Sequence, residues 1–228
     1  MKQEEKKYYI NNFVKNFDLS VEQIINTYPQ DTMFKKLFFK DSLDADDMDD
    51  LKNTLLYTEH NKDSRDLISY AREVLFSWII EDVLFYLLDR DNLEVCRFGS
   101  DSNRKFTNGM KILSDPDLLI RNNQNVYLEV ISNYPYAESD TYWESVGYFD
   151  LRDHKLKNLL FKSQNSKVFI IGINVKRCEF FIKEINKQME HEQISAQYNE
   201  WGKKTNRIYL DDLQFYKLDK ISDHFVFI

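Results

Sequence analysis

The sequence predicts an α/β fold in which a central mixed β-sheet is flanked by helices and preceded by a helical N-terminal region. Residues 65–88 carry apolar side chains at intervals of three and four, as a buried helix requires. Residues 167–175 form a continuous apolar run, typical of a central strand buried on both faces. Helix-like and strand-like segments alternate between these two runs, which favours helices packed against a sheet.

Length and composition indicate a globular protein. The 228 residues are 43% hydrophobic and include 5 Gly and 3 Pro, which excludes fibrous and disordered classes. No stretch reaches the roughly 18–20 apolar residues that span a bilayer, and the first residues do not resemble a signal peptide, so a cytoplasmic protein is expected. Cys96 and Cys178 lie far apart in apolar segments, so reduced thiols are expected rather than a disulfide or a zinc site.

Two regions are predicted along the chain. Residues 1–64 are expected to be helical and to pack on the core. This region contains a capping-box pattern at 20–23, an amphipathic stretch at 33–40 and an acidic run at 44–50 that suits a helix start. Residues 65–228 are predicted to form the core.

The predicted core begins with the helix at 65–88 and continues through strands and helices in turn. Strands are expected at 93–98, 117–120, 125–131, 167–175 and 207–210, helices at 142–162 and 179–192, and a short helix or strand at 211–218. The strand at 167–175 should pair in parallel with the strand at 126–131 through a right-handed crossover, because a helix intervenes between them.

Two carboxylates mark the segment with the most specific chemistry. Asp117 opens one predicted strand and Glu129 lies near the end of the next, with eleven residues between them and a turn at 122–124. An antiparallel hairpin of this spacing brings both acids to the same end of the sheet. Two carboxylates held close together repel each other unless a cation lies between them. Oxygen ligands suit Mg²⁺, which polarises a phosphate and activates a water molecule.

Pro116-Asp117 followed by Glu129 resembles the motif of the PD-(D/E)xK nuclease superfamily, which includes most type II restriction endonucleases. The order of elements over roughly residues 65–218 is also similar to the common core of that superfamily. There a helix that often carries an acidic metal-site residue precedes a three-stranded meander. The resemblance implies a restriction endonuclease-like core with Mg²⁺ held by Asp117, Glu129 and Glu81, which lies 36 residues before Asp117.

The sequence departs from the motif at its third position, where Ile131 replaces the lysine of the family. Three alternatives remain open: the lysine has moved to a neighbouring element, the enzyme works without it, or the site is inactive. Lys155 lies four residues from both Leu151 and Leu159, which places it on or beside the buried stripe of the predicted helix. Lys157 points outward. Lys155 is therefore the candidate for orienting the attacking water.

DNA contacts are expected from two short basic loops, although a solvated surface loop is the alternative for each residue. The candidates are Arg104, Lys105, Lys203, Lys204 and Arg207. The net charge of −7 argues against nucleic-acid binding through overall basicity, so any basic groove must be local.

The resemblance implies a type II restriction endonuclease that acts as a homodimer on a short palindromic site in double-stranded DNA. No Walker A sequence is present, so no nucleotide cofactor is expected. One alternative is a repair or junction nuclease of the same fold. The other is a non-catalytic DNA- or protein-binding module that has lost the lysine, which Ile131 favours.

Overall fold

A computed structural model describes residues 67–99, 115–121, 124–133, 141–174, 177–198 and 204–225. These residues form a mixed α/β structure with helices and a mixed multi-stranded sheet. The predicted N-terminal helical region, residues 1–64, lies outside the described residues. No helix among the described residues is long and apolar enough to cross a membrane.

The described elements follow one another as a long helix, three strands, a crossover, and a second group of strands. In chain order they are α1 (Leu67–Arg90), β1 (Val95–Arg97), β2 (Leu118–Arg121), β3 (Asn125–Ser132), α2 (Tyr142–Val146), β4 (Tyr148–Arg152), α3 (Asp153–Lys162), β5 (Lys167–Asn174), β6 (Glu179–Glu184), β7 (Glu192–Ile194), a 3₁₀ turn (Ala196–Tyr198), β8 (Thr205–Tyr209), β9 (Tyr216–Lys217) and a 3₁₀ helix (Leu218–His224).

Within the described residues, six strands form the main sheet in the order β1-β2-β3-β5-β6-β9, and three form a smaller sheet in the order β4-β8-β7. The pair β3–β5 is parallel, with Glu129 opposite Ile170, and the other pairs are antiparallel. This confirms the predicted parallel pairing across a crossover. The crossover carries α2, β4 and α3, so it brings α3 over the sheet beside β3.

One side of the main sheet, which we call the α1 face, is an apolar core. Alternate residues of β3 and β5 point toward α1, where they pack against its buried leucines and against the C-terminal 3₁₀ helix. The residues of this core include Ile80, Val83, Leu84, Leu87, Leu118, Val126, Leu128, Phe169, Ile171, Leu218 and Ile221.

The opposite side, the α3 face, packs against α3 and the smaller sheet. Its apolar residues include Trp143, Phe149, Leu151, Leu156, Leu159, Val168, Ile170, Phe181 and Ile208, with Tyr127 and Ile131 packed against them. At Gly172 of β5, a side chain would meet the Phe181 ring, since a Cβ built there would lie 2.0 Å from Phe181 Cε1. The absence of a side chain at Gly172 leaves room for the Phe181 ring.

The single helix predicted for residues 142–162 is wrong. The helix ends at Gly147, which adopts the left-handed conformation with φ 70° and donates its N–H to the Trp143 carbonyl at 2.8 Å. Strand β4 follows because Phe149 and Leu151 alternate inward and pair with β8. A second helix then begins at Asp153.

The helix predicted for residues 179–192 is also wrong. Residues Glu179–Glu184 form strand β6, which pairs antiparallel with β5 so that Ile182 lies opposite Ile171. Phe180 packs on the α1 face and Phe181 on the α3 face, so the segment is a strand buried on both sides.

The five strands predicted from the sequence are confirmed to within two residues at each end, apart from residue 175, which lies outside the described residues.

Candidate active site

Asp117 and Glu129 lie opposite each other on neighbouring strands. The register of β2 with β3 pairs Leu118 with Leu128, so the next residues outward are Asp117 and Glu129. Asp117 is 5% exposed and Glu129 is 7% exposed. Asp117 is further fixed because its Oδ2 accepts a hydrogen bond of 2.7 Å from the Val130 N–H. The hairpin therefore brings the two acids together, as the spacing predicts.

Both acids belong to the α3 face. Side chains alternate along a strand, and Glu129 shares its side of β3 with Tyr127 and Ile131, which pack against the α3-face cluster. Asp117 faces the same side because directly opposite residues of an antiparallel pair share a face. Two acids therefore interrupt an otherwise largely apolar surface where helix α3 packs.

Lys155 reaches this pair from the first turns of α3. Its Nζ lies 2.7 Å from Glu129 Oε2 and donates a 2.9 Å hydrogen bond to the Asp115 carbonyl. The Lys155 side chain is 14% exposed, whereas that of Lys157 is 71% exposed. The prediction that Lys155 points inward and Lys157 outward is confirmed.

Lys157 forms its own pair on the outer surface of the helix. Its Nζ lies 2.7 Å from Asp153 Oδ2, four residues earlier. The Lys157 hydrogen bond, followed by that of the Asn206 amide, lowers the pKa of the Asp153 carboxyl. Lys157 and Lys155 are thus two lysines of one helix with different environments, which makes Lys157 a matched control for Lys155.

The position of the missing motif lysine is part of the apolar packing. Ile131 lies two residues after Glu129 on the same side of β3 and packs against the α3-face cluster. The positive charge beside Glu129 therefore comes from α3 instead of from β3. This geometry agrees with the first of the three alternatives, a lysine supplied by a neighbouring element.

Asp115 and Lys162 are polar residues of this face that the sequence reasoning missed. Lys162 Nζ lies 3.0 Å from Asp115 Oδ1, and both side chains are largely buried. Asp115 also accepts a long hydrogen bond of 3.4 Å from Asn158 Nδ2. Helical spacing places residues 155, 158 and 162 on one side of α3, but it does not identify Asp115 as their partner.

Glu81 lies on α1, which packs against the opposite face of the main sheet from α3. Its side chain is buried. Within the described residues, no group of three or more His, Cys, Asp or Glu side chains is arranged to hold a metal ion. The assignment of Glu81 as a third ligand stays a prediction.

The structure describes two of the five predicted DNA-binding residues, Lys204 and Arg207. Arg207 forms two 3.0 Å hydrogen bonds to Asp150, and its guanidinium carbon lies 3.6 Å from the centroid of the Tyr148 ring. The hydrogen bonds to Asp150 raise the pKa of Arg207. Lys204 is exposed. Arg104, Lys105 and Lys203 lie outside the described residues.

The donor set of the site fits a hard divalent cation. Asp117 and Glu129 supply carboxylate oxygens, each with several lone pairs, from two rigid strands. The negative charges of these two acids exceed the positive charge of Lys155, so the local field favours a cation. Asp115 and Lys162 offset each other.

Comparison of the chain with protein-family models, with curated proteins and with solved structures found no match. The function must therefore be inferred from the residues of the site. Those residues are two acids on facing strands and one lysine of the crossover helix.

Proposed function

We propose that this protein is an Mg²⁺-dependent endonuclease that hydrolyses duplex DNA and has a restriction endonuclease-like core. The observation that carries the proposal is the position of Lys155, whose Nζ lies 2.7 Å from Glu129 Oε2. Glu129 in turn faces Asp117 across the β2–β3 hairpin. Two acids and one lysine on one face are the groups that this chemistry needs, although the lysine comes from a different element than the motif.

Each residue has a distinct role in the proposed hydrolysis. Asp117 and Glu129 would hold Mg²⁺, which when bound polarises the scissile phosphate and lowers the pKa of a coordinated water molecule. Lys155 donates hydrogen bonds and accepts none, so it orients the attacking water and stabilises negative charge on the phosphate. The water oxygen would form a bond to phosphorus and lose a proton to solvent. The bond from phosphorus to one sugar oxygen would break, and solvent would protonate that oxygen.

The burial of the acids supports a functional site. A carboxylate removed from water costs free energy unless charges or hydrogen bonds compensate it. Here the chain places Asp117 and Glu129 next to each other, where their mutual repulsion adds to that cost. Functional sites are where proteins retain such arrangements.

The preferred activity is that of a type II restriction endonuclease, a homodimer that cuts both strands at a short palindromic sequence. A non-catalytic module with the same core is the second candidate. The observation that favours it is Ile131, which occupies the motif position and packs against the apolar cluster. Binding of Mg²⁺ distinguishes the two, since a module without catalysis has no need of a carboxylate pair.

The test is a cleavage assay on long, unmethylated, sequence-diverse DNA with Mg²⁺. It compares the wild type with Lys155→Met and with the control Lys157→Met, a lysine exposed on the same helix. Discrete fragments are expected from the wild type and the control, and none from Lys155→Met, because methionine keeps the length of the side chain without its charge. Asp117→Asn should also abolish cleavage.

The outcomes separate the candidates. Fragments from Lys155→Met at the wild-type rate would remove Lys155 from the mechanism. If the wild type cuts neither duplex nor branched DNA with Mg²⁺ or Mn²⁺, the nuclease proposal is overturned. Calorimetric titration with Mg²⁺ then shows whether the carboxylate pair binds the cation.

A further inference from the structure

Three side chains of α3 converge on Asp115, the residue that precedes Pro116-Asp117. Lys155 Nζ donates to the Asp115 carbonyl at 2.9 Å, Lys162 Nζ lies 3.0 Å from Asp115 Oδ1, and Asn158 Nδ2 lies 3.4 Å from the same oxygen. Positions 155, 158 and 162 lie on one side of a helix because their spacing is three and four residues. Asp115 is therefore held at both its main chain and its side chain.

Lys162 is held in turn by an aromatic pair. Its Nζ lies 4.6 Å from the centroid of the Phe98 ring and 5.0 Å from that of Tyr127. The two rings contact each other edge to face, with their centroids 4.9 Å apart. Cation–π contacts of this kind fix the ammonium group in addition to its ion pair. Tyr127 lies on the same side of β3 as Glu129, so the aromatic pair adjoins the site.

These contacts connect Lys162 to Lys155 through a single residue. Lys162 and Asn158 hold the carboxylate of Asp115, and the carbonyl of Asp115 holds Lys155 against Glu129. A lysine side chain has many rotamers, and ordering it for each reaction costs conformational entropy. A carbonyl that already holds the ammonium group reduces this cost. The Asp115–Lys162 pair also links α3 to the segment just before β2.

We propose that Asp115 and Lys162 form a clasp that positions Lys155 on Glu129. They are positioning residues, since they contact side chains and main chain of the site and not the reacting atoms. This inference deepens the proposed nuclease function, and its kinetic consequence rests on that function. The structural connection between Lys162 and Lys155 does not depend on it.

The kinetic test uses Lys162→Met, which keeps the aliphatic stem beside Phe98 and Tyr127, and Lys157→Met as control. We expect kcat to fall about 10–100-fold, as for other groups that orient a catalytic residue, while KM for DNA is unchanged. Asp115→Asn, which keeps an acceptor oxygen for Asn158 and Lys162, should retain more activity than Asp115→Ala.

A second measurement is independent of cleavage. In a ¹⁵N spectrum of lysine ammonium groups, the Lys155 resonance is identified by its loss in Lys155→Met. We expect a resolved resonance in the wild type and in Lys157→Met, and a shifted or broadened one in Lys162→Met. A circular dichroism melt checks that each variant is folded.

The two proposals fail in different ways. An unchanged Lys155 resonance in folded Lys162→Met overturns the clasp, and so does a rise in KM at constant kcat, which would assign Lys162 to DNA binding. If the wild type cuts no DNA but the Lys155 resonance depends on Lys162, the clasp stands and the nuclease function is overturned.

Discussion

The two faces of the main sheet are built from alternate residues of the same strands, yet they differ in chemistry. On the α1 face, Leu128 and its neighbours pack against leucines of α1 in an apolar cluster. On the α3 face, Glu129 follows Leu128 directly and forms an ion pair with Lys155. One residue along the strand therefore separates a hydrophobic contact from a charged one.

The two faces of the main sheet contribute differently to the stability of the fold. Apolar burial on the α1 face supplies free energy of folding in proportion to the area removed from water. Charges on the α3 face contribute little net stability, because their desolvation offsets their attraction. The α1 face can thus hold the strands rigid, while the α3 face carries buried charged side chains that add little to stability.

The largest expected effect is on the α3 face. Glu129→Gln should reduce single-turnover DNA cleavage by at least about 1000-fold, equivalent to roughly 4 kcal/mol, because the amide is a poor ligand for Mg²⁺. The glutamine side chain has the same size and its amide oxygen can contact Lys155, so the free energy of unfolding should change less than in the next variant. A large loss of stability with normal cleavage would reverse the roles assigned to the two faces.

On the α1 face, Leu84→Ala should lower the free energy of unfolding by about 2–5 kcal/mol, because it leaves a cavity at a fully buried position. Cleavage per folded molecule should stay at the wild-type rate at temperatures below the transition. Urea unfolding followed by fluorescence measures the first quantity and the DNA assay the second. A specific loss of cleavage in this variant would show that the faces are not independent.

Gly172→Ala tests a position of the α3 face where the packing depends on the shape of the neighbouring side chains and not on charge. The new Cβ would lie 2.0 Å from Phe181 Cε1, so the ring must move, at a cost of about 1–3 kcal/mol in unfolding free energy. Phe181→Leu in the same chain should recover part of that loss. If Gly172→Ala melts at the wild-type temperature, the ring does not lie as described.

The smallest effect is expected at the end of α1. Hydrogen bonds from Arg90 and then from Ser222 lower the pKa of Asp91 from 3.8 to about 2. The stabilising contribution of the carboxylate is thus complete above the unfolded value near 3.8 and is lost as the pH falls toward 2. The difference in urea midpoint between the wild type and Asp91→Asn should be constant from pH 7 to 5 and shrink between pH 4 and 2.

The contradicting result for Asp91 is a difference that persists undiminished at the lowest pH at which both chains still fold. Ser222→Ala provides a second variant, since it removes the 2.6 Å hydrogen bond to Asp91 Oδ2 but leaves the carboxyl itself in place. It should show the same pH window with a smaller amplitude.

The strands of the main sheet could be predicted where the local sequence pattern matches the burial of the strand in the folded protein. Residues 167–175 read as a buried strand because both faces of β5 are covered. The prediction failed at β6, where charges spaced four apart, such as Glu179 and Lys183, also suit a helix. Its strand conformation is decided by pairing with β5, which a local pattern does not contain.

The site shows the same division. Asp117 and Glu129 were visible because hairpin geometry converts a short spacing into proximity, and Lys155 because helical spacing placed it on the inner side of α3. Asp115 and Lys162 were not, because their contact joins residues 47 positions apart and depends on how α3 packs over the sheet. No periodicity within one element carries that information.

The parallel pairing of β3 with β5 also fixes when the site is assembled during synthesis. The acids of β2 and β3 leave the ribosome first, whereas Lys155 follows in the crossover and Ile170, the partner of Glu129, follows later still. Parallel strands need the whole crossover before they can pair, and chains fold from the N-terminus as they emerge. An unfinished chain thus carries the acids without a secured lysine, so under the proposed function cleavage would begin only after β5 has been made and has paired with β3.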